Sequence, residues 1–228
     1  MRTFTTVAAL AAILTLSGCV SIGPKLKPVQ MYRFGYAPEM LDQAPPSAPA
    51  TGMPPVGIVF GTITFPQDSS GDRVTTLEGN EVSYVSQARW TAPAQELFNE
   101  AVSEGFARQA SSVRLEARGP SAAGYRLDIT VRQFESVYTH NKPTVSVAFD
   151  ARIIRLNDKV IVGQQFIHAD VPVGHNDMSM TADAYSKAST QAVSDLIGFA
   201  QATMVAQEGV QTPSIETPAD GKQHVEGL

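Results

Sequence analysis

Two long runs of alternating residues in the second half of the chain limit its fold more than any other feature. Tyr125, Leu127, Ile129 and Val131 alternate with Arg126, Asp128, Thr130 and Arg132, and Val145, Val147, Phe149, Ala151 and Ile153 alternate against Ser146, Asp150 and Arg152. A period of two sends successive side chains to opposite faces of a strand. Each run therefore predicts a strand with one apolar and one wetted face. The phase breaks at Gln133-Phe134, where a bulge would bend the strand. Asn157-Asp158 predicts a two-residue hairpin, and the chain returns through Val160–Val171, which contains Val162, Phe166 and Ile167. Long half-wet strands joined by short turns belong to antiparallel sheets. The dry face needs a cover.

Two stretches can supply it. In the first, Ala94, Leu97, Phe98, Ala101, Val102 and Phe106 fall on one helical stripe behind Pro93. Gly105 lies on the same stripe, where glycine costs about 1 kcal/mol against alanine, so a close neighbour is expected there. In the second, from Met180 to Val205, the stripe is Ala182, Tyr185, Ala192, Val193, Leu196, Ile197, Ala200 and Met204. The fold class that follows is α+β: a mostly antiparallel sheet of about five to six strands, with two amphipathic helices packed on one face.

The rest of the chain divides around this core. Residues 56–206 read as one α+β domain. It opens with a strand over Val56–Phe65 that Pro66 breaks. Arg73–Leu77 and Glu81–Ser86 flank a turn at Glu78-Gly79-Asn80, and a short strand lies near Val113–Ala117. Ahead of the domain, residues 19–55 form a Pro-rich tether: eight of the fifteen prolines fall between Val20 and Pro55. Within it, residues 31–36 alternate well enough to dock as an edge strand. Residues 207–228 are polar, lack an apolar period and read as a disordered tail.

Residues 1–18 read as an export signal. One positive charge, Arg2, precedes an apolar run from Val7 to Leu16 that is too short to span a bilayer, and Leu16-Ser17-Gly18-Cys19 ends it. That ending resembles a bacterial lipobox. The resemblance implies cleavage before Cys19, with N-palmitoyl and S-diacylglycerol groups on that residue. Cys19 is the only cysteine, which excludes an intramolecular disulfide. By resemblance to enterobacterial lipoprotein sorting, Val20 in place of aspartate implies the outer over the inner membrane. The net charge of −5 excludes a nucleic-acid binder, which needs a basic face.

No pattern in the sequence carries catalysis. His168 with Asp170, and His175 with Asp177, could suggest metal ligands or an oriented base, but a zinc site needs three or four converging ligands. His140 and His224 stand apart. Glu96, Glu100 and Glu104 share the solvent side of the first helix. Neither a nucleophile elbow nor a phosphate-binding glycine motif is present. The chain is read as a non-enzyme with no metal and no cofactor. Two residues remain as candidates, Arg89 and Trp90, the latter the only tryptophan. Trp90 at a strand-to-helix joint suits packing, and Arg89 suits either an ion pair or a partner surface, where Trp and Arg are enriched.

The lipobox at Leu16–Cys19, Tyr32-Arg33-Phe34, Val82–Trp90 and the Pro93 entry with Leu97-Phe98 recur in one family. With the Ala-rich last helix around Ala184–Ala188, they make the chain resemble the ABC-type transport auxiliary lipoproteins, including the paraquat-inducible protein C group. The resemblance spans Cys19 to about Met204 and departs at the Pro-rich stretch Gln43–Pro55. It implies a lipid-anchored periplasmic component of an ABC-type transport system that moves lipid between the two membranes. It would act by docking to a periplasmic protein with mammalian-cell-entry (MCE) domains and, indirectly, to the ABC permease and ATPase. Homo-oligomers are compatible with it. The sheet edge, the loop Thr139–Lys142 and the tail are the expected contacts. The alternative is an envelope-assembly lipoprotein, a scaffold for lipopolysaccharide or outer-membrane complexes.

Overall fold

The computed structural model describes residues 28–41, 55–116, 123–140 and 142–211. Within them the strands are β1 (Gln30–Tyr32), β2 (Val56–Thr64), β3 (Arg73–Glu78), β4 (Glu81–Trp90), β5 (Val113–Glu116), β6 (Tyr125–Thr139), β7 (Lys142–Arg155) and β8 (Ile161–Pro172). Helix α1 spans Ala94–Gln109 and helix α2 spans Met178–Gln211. A single 3-10 turn lies at Pro38–Met40.

Strand β6 is the rail on which the sheet is built. One of its edges pairs antiparallel with β7 from Tyr125 opposite Arg155 to Thr139 opposite Lys142, and β8 follows antiparallel to β7. The other edge is shared. Strand β2 runs parallel along its first half, from Ile58 opposite Tyr125, and β3 runs parallel along its second, from Thr76 opposite Ser136. Beyond β2 lies β5, again parallel, while beyond β3 come β4, antiparallel, and β1, parallel to β4.

The sheet is thus mixed and 8-stranded, larger than the expected five to six strands and not mostly antiparallel throughout. Alternation reports which face a residue takes but not the direction of the strand. Parallel neighbours need a crossover connection, and the path from β2 to its parallel neighbour β5 runs through β3, β4 and α1. The long antiparallel part, β6 to β8, is where the pattern was strongest.

Local differences have local causes. Pairing slips between Val131 and Gln133, so the inward series Leu127, Ile129, Val131 resumes at Phe134. This is the bulge that the phase break predicts. The β7–β8 loop is longer than a two-residue hairpin: it runs over residues 156–160, and Lys159 takes a φ of 62° within it. Strand β4 continues past Ser86 to Trp90 through an irregularity at Gln87, whose φ is 58°. Helix α2 reaches Gln211, so residues 207–211 are helical where a disordered tail was expected. Extending a formed helix requires no new nucleus, so a stripe is not needed for its last turn.

Both helices cover one face, as expected. The α1 stripe is buried along its length, and the Phe98 ring meets Phe134 and Phe149 at 6.0 and 5.6 Å. On α2, Tyr185 lies 5.1 Å from Phe134. Where the helices cross, Gly105 is the close approach that its position implied. A Cβ there would overlap the Val193 side chain and press on the Tyr36 ring. Of residues 31–36, only Met31 and Tyr32 are strand, within β1, which pairs with the end of β4; beyond it Phe34 and Tyr36 are buried in the core without a ladder. In contrast, Gly198 on α2 faces open space. Gly105→Leu should lose about 1–3 kcal/mol through overpacking, and Gly198→Ala should gain about 1 kcal/mol from helix propensity, both read by chemical denaturation.

Candidate functional site

The joint between β4 and α1 holds the two sequence candidates. Trp90 is the last residue of β4 and is 1% exposed. Its ring meets Phe34 and Tyr185 edge-on, each at 5.0 Å and 79°. Phe134 lies 5.1 Å from both Phe34 and Tyr185. The loop between β2 and β3 completes the joint. Its Asp72 carbonyl accepts the Trp90 N–H at 2.7 Å, and the carbonyls of Gly71 and Ser70 accept from Ala94 and Gln95, the first two residues of α1. Helix N-termini carry unsatisfied N–H groups, and Pro93 offers no side-chain cap. Backbone carbonyls do the work instead.

Arg89 points the other way. Its neighbour in register is Arg73 on β3, and its Nε lies 3.6 Å from Asp72 Oδ2. Its side chain is one-third exposed on the face away from the helices. The structure therefore separates the pair: Trp90 belongs to the core and Arg89 to the surface. Cys19 lies outside the described residues.

The histidines do not converge. Asp177 caps α2, accepting the Met180 N–H at 2.9 Å through its side chain and the Thr181 hydroxyl at 2.8 Å through its carbonyl. His175 is exposed beside it. His168 stacks on Phe166 at 5.9 Å, and its charge acts on Asp195 of α2, whose carboxyl burial pushes up and His168 pulls back down. His140 sits at the β6–β7 turn with a φ of 49°, and His224 lies outside the described residues. Among the described residues no three His, Cys, Asp or Glu side chains gather closely enough to hold a metal. Of the three helix glutamates, Glu100 pairs with Arg33 at 2.6 Å and Glu104 with Arg108 at 3.0 Å, all of them exposed.

The titratable group most affected by the fold is one the sequence did not single out. Tyr185 is fully buried, which pushes its phenol far up, while its hydroxyl donates to the Thr75 carbonyl at 3.4 Å. Glu135, next to the β6 bulge, is half-buried. Burial raises its carboxyl; the Phe134 N–H, which it accepts at 3.2 Å, counters that, and Asp68 adds to it. Nothing in the alternation distinguishes Glu135 from other outward acids, and alternation does not bring Asp68 of the β2–β3 loop near it. Two shallow hollows flank Val85. One, of about 340 Å³, opens between Tyr32 and Met178, and the other, of about 350 Å³, lies between Glu78, Glu81 and Tyr138. The first is lined by no ionised side chain, and the second holds Glu78 and Glu81 beside Ser83 and Tyr138.

Trp90→Ala should cost about 3–5 kcal/mol, the range for emptying a buried aromatic site, seen as a lower midpoint in denaturant. Glu135 gives a pH signature. Because its carboxyl is raised in the fold, the folded chain holds that proton to higher pH than the unfolded one, and stability falls as pH rises from 4.5 through the folded value. Glu135→Gln should raise the melting temperature at neutral pH, and the advantage should vanish below 4.5.

Comparison with known proteins places this architecture. Protein XCC0632 from Xanthomonas campestris superposes with a TM-score of 0.65 at 21% identity, covering 80% of this chain and 100% of its own. A structure described as an uncharacterized protein follows at 0.59 and 9% identity, covering 75% and 98%. The hypothetical protein CT253 from Chlamydia trachomatis gives 0.51 at 10% identity, covering 67% and 99%. At these identities the likeness is one of fold. No curated protein matches the sequence. One family does: the sequence model of the ABC-type transport auxiliary lipoprotein component matches residues 40–196, from the 3-10 turn through most of α2. The chain belongs to the family of ABC-type transport auxiliary lipoprotein components.

Proposed function

We propose that this protein is a non-enzymatic, lipid-anchored periplasmic component of an MCE-associated ABC transport system. In this reading it takes part in lipid movement between the inner and outer membranes. Its work is to hold a partner at a membrane, with Cys19 as the site of acylation. The family match over residues 40–196 carries the reading. The attachment of the N-terminal segment supports it: β1 is paired to β4, and Phe34 is sunk in the aromatic cluster beneath it. Eight residues separate Cys19 from Pro28, and the nine steps between them span at most about 32 Å of extended chain. An acylated Cys19 therefore keeps this end of the sheet near the bilayer, and two or three acyl chains hold it there stably.

Among the described residues no helix is long and apolar enough to cross a membrane. Val20 after the cysteine favours the outer membrane as the resting place, with the MCE-domain protein as the direct partner and the permease and ATPase reached through it. The exposed edge of β8 and the β6–β7 turn at His140 are available for such contacts.

Cys19→Ser should abolish fatty-acid labelling and release the protein from membranes into the periplasmic fraction. Mild crosslinking followed by purification of the wild-type lipoprotein should recover an MCE-domain or permease component. Recovery of neither, from cells that produce them, would refute the transport role.

A further inference from the structure

Exposed apolar side chains gather in two places, at Val160, Ile161 and Phe166 around the start of β8 and on the outer surface near β1, and only the second adjoins the chain that leads to Cys19. Val29, Met31, Val82 and Tyr84 are 53%, 56%, 46% and 40% exposed. Pairing places them together. Met31 lies opposite Arg89, Arg89 opposite Arg73, Tyr84 opposite Thr75 and Val82 opposite Leu77. Directly paired residues share a face, and their chain neighbours Trp90 and Val74 are buried in the core. The Arg73 guanidinium lies 4.8 Å above the Tyr84 ring. Aliphatic, phenolic and guanidinium groups thus form one surface at one end of the sheet, on the side away from the helices.

This is also the end from which the chain departs toward Cys19. We propose that this surface rests on the phospholipid bilayer that holds the acylated cysteine. Val29, Met31, Val82 and Tyr84 enter the headgroup boundary, and Arg73 and Arg89 lie against lipid phosphates. The inference depends on the anchor reading above and adds an orientation to it.

Three observations favour a lipid surface over other occupants. The tether confines the core to within about 32 Å of the bilayer, so this surface meets lipid at a high effective concentration. Its composition is that of interfacial side chains, with apolar bodies and polar or cationic tips. The Arg89 contact to Asp72, at 3.6 Å and exposed, is weak enough to be exchanged for a phosphate. The solvent face of α1 lacks such an apolar group and carries Glu96, with Glu100 and Glu104 in ion pairs to Arg33 and Arg108. Lys25 and Lys27 give the chain that leads back to Cys19 a positive charge.

The test uses the full acylated lipoprotein in vesicles of phosphatidylethanolamine and phosphatidylglycerol. Acylation consumes Cys19, so Met31→Cys, Tyr84→Cys and, on α1, Ser103→Cys each take a single fluorophore. A quencher carried at the headgroup boundary should remove emission at 31 and 84 and leave 103 unchanged. Equal emission at all three positions, in protein that floats with the vesicles, overturns the proposal. Failure of the anchor reading looks different: the protein does not float, and its Cys19 thiol accepts the label. In the Cys19→Ser protein free in buffer, aqueous iodide should reach the labels at 31 and 84. Shielding there would mean that residues 20–27 or a second copy already cover the patch, and would also overturn it.

Discussion

Four rings from four separate stretches meet on the inner face of the sheet, and the rest of the structure depends on their meeting. Phe34 comes from the N-terminal segment, Trp90 from the end of β4, Phe134 from β6 just beyond its bulge, and Tyr185 from the second turn of α2. Edge-on and tilted pairs of this kind add about 0.5–1.5 kcal/mol each beyond the area they bury. The energetic share matters less than the geometry. Each ring fixes an element that hydrogen bonding alone leaves free: the path after β1, the angle of α1, the phase of β6 past its slip, and the placement of α2.

Much of this was legible in the sequence, and the limits are physical. The inward residues of β6 and β7 could be read from period two, and the covered stripes of α1 and α2 from period 3.6, because burial imposes those periods directly. Strand direction imposes none. The parallel pairing of β2 and β3 along the same edge of β6 therefore appears only in three dimensions. Phe34 could be recognised as apolar within an alternating hexamer, yet nothing local showed that its ring would reach Trp90 and Tyr185. Arg89 and Trp90 were found together because rare residues stand out. Their separation onto opposite faces follows from being neighbours on a strand.

The chemistry of the surface follows the same division. Groups that looked reactive in the sequence have structural tasks: Asp177 caps a helix, and Glu100 ties Arg33 to α1. Binding surfaces in general are built from edges, turns and scattered apolar groups, and they leave weak traces in sequence because no single residue type is required.

The insertion of Phe34 and Tyr36 beyond β1 also has a mechanical meaning. Among the described elements, β1 is the first that a pull from the N-terminal side meets. That strand has only a short ladder to β4, from Gln30 opposite Ala88 to Tyr32 opposite Trp90. Behind it, two buried rings and the Tyr36 hydroxyl bond to Gln109 take up the load. The pull is thereby passed to α1 and α2 at their crossing and not to the sheet edge alone. A few side chains just past a short strand act as a strain relief between a moving membrane and the core it carries.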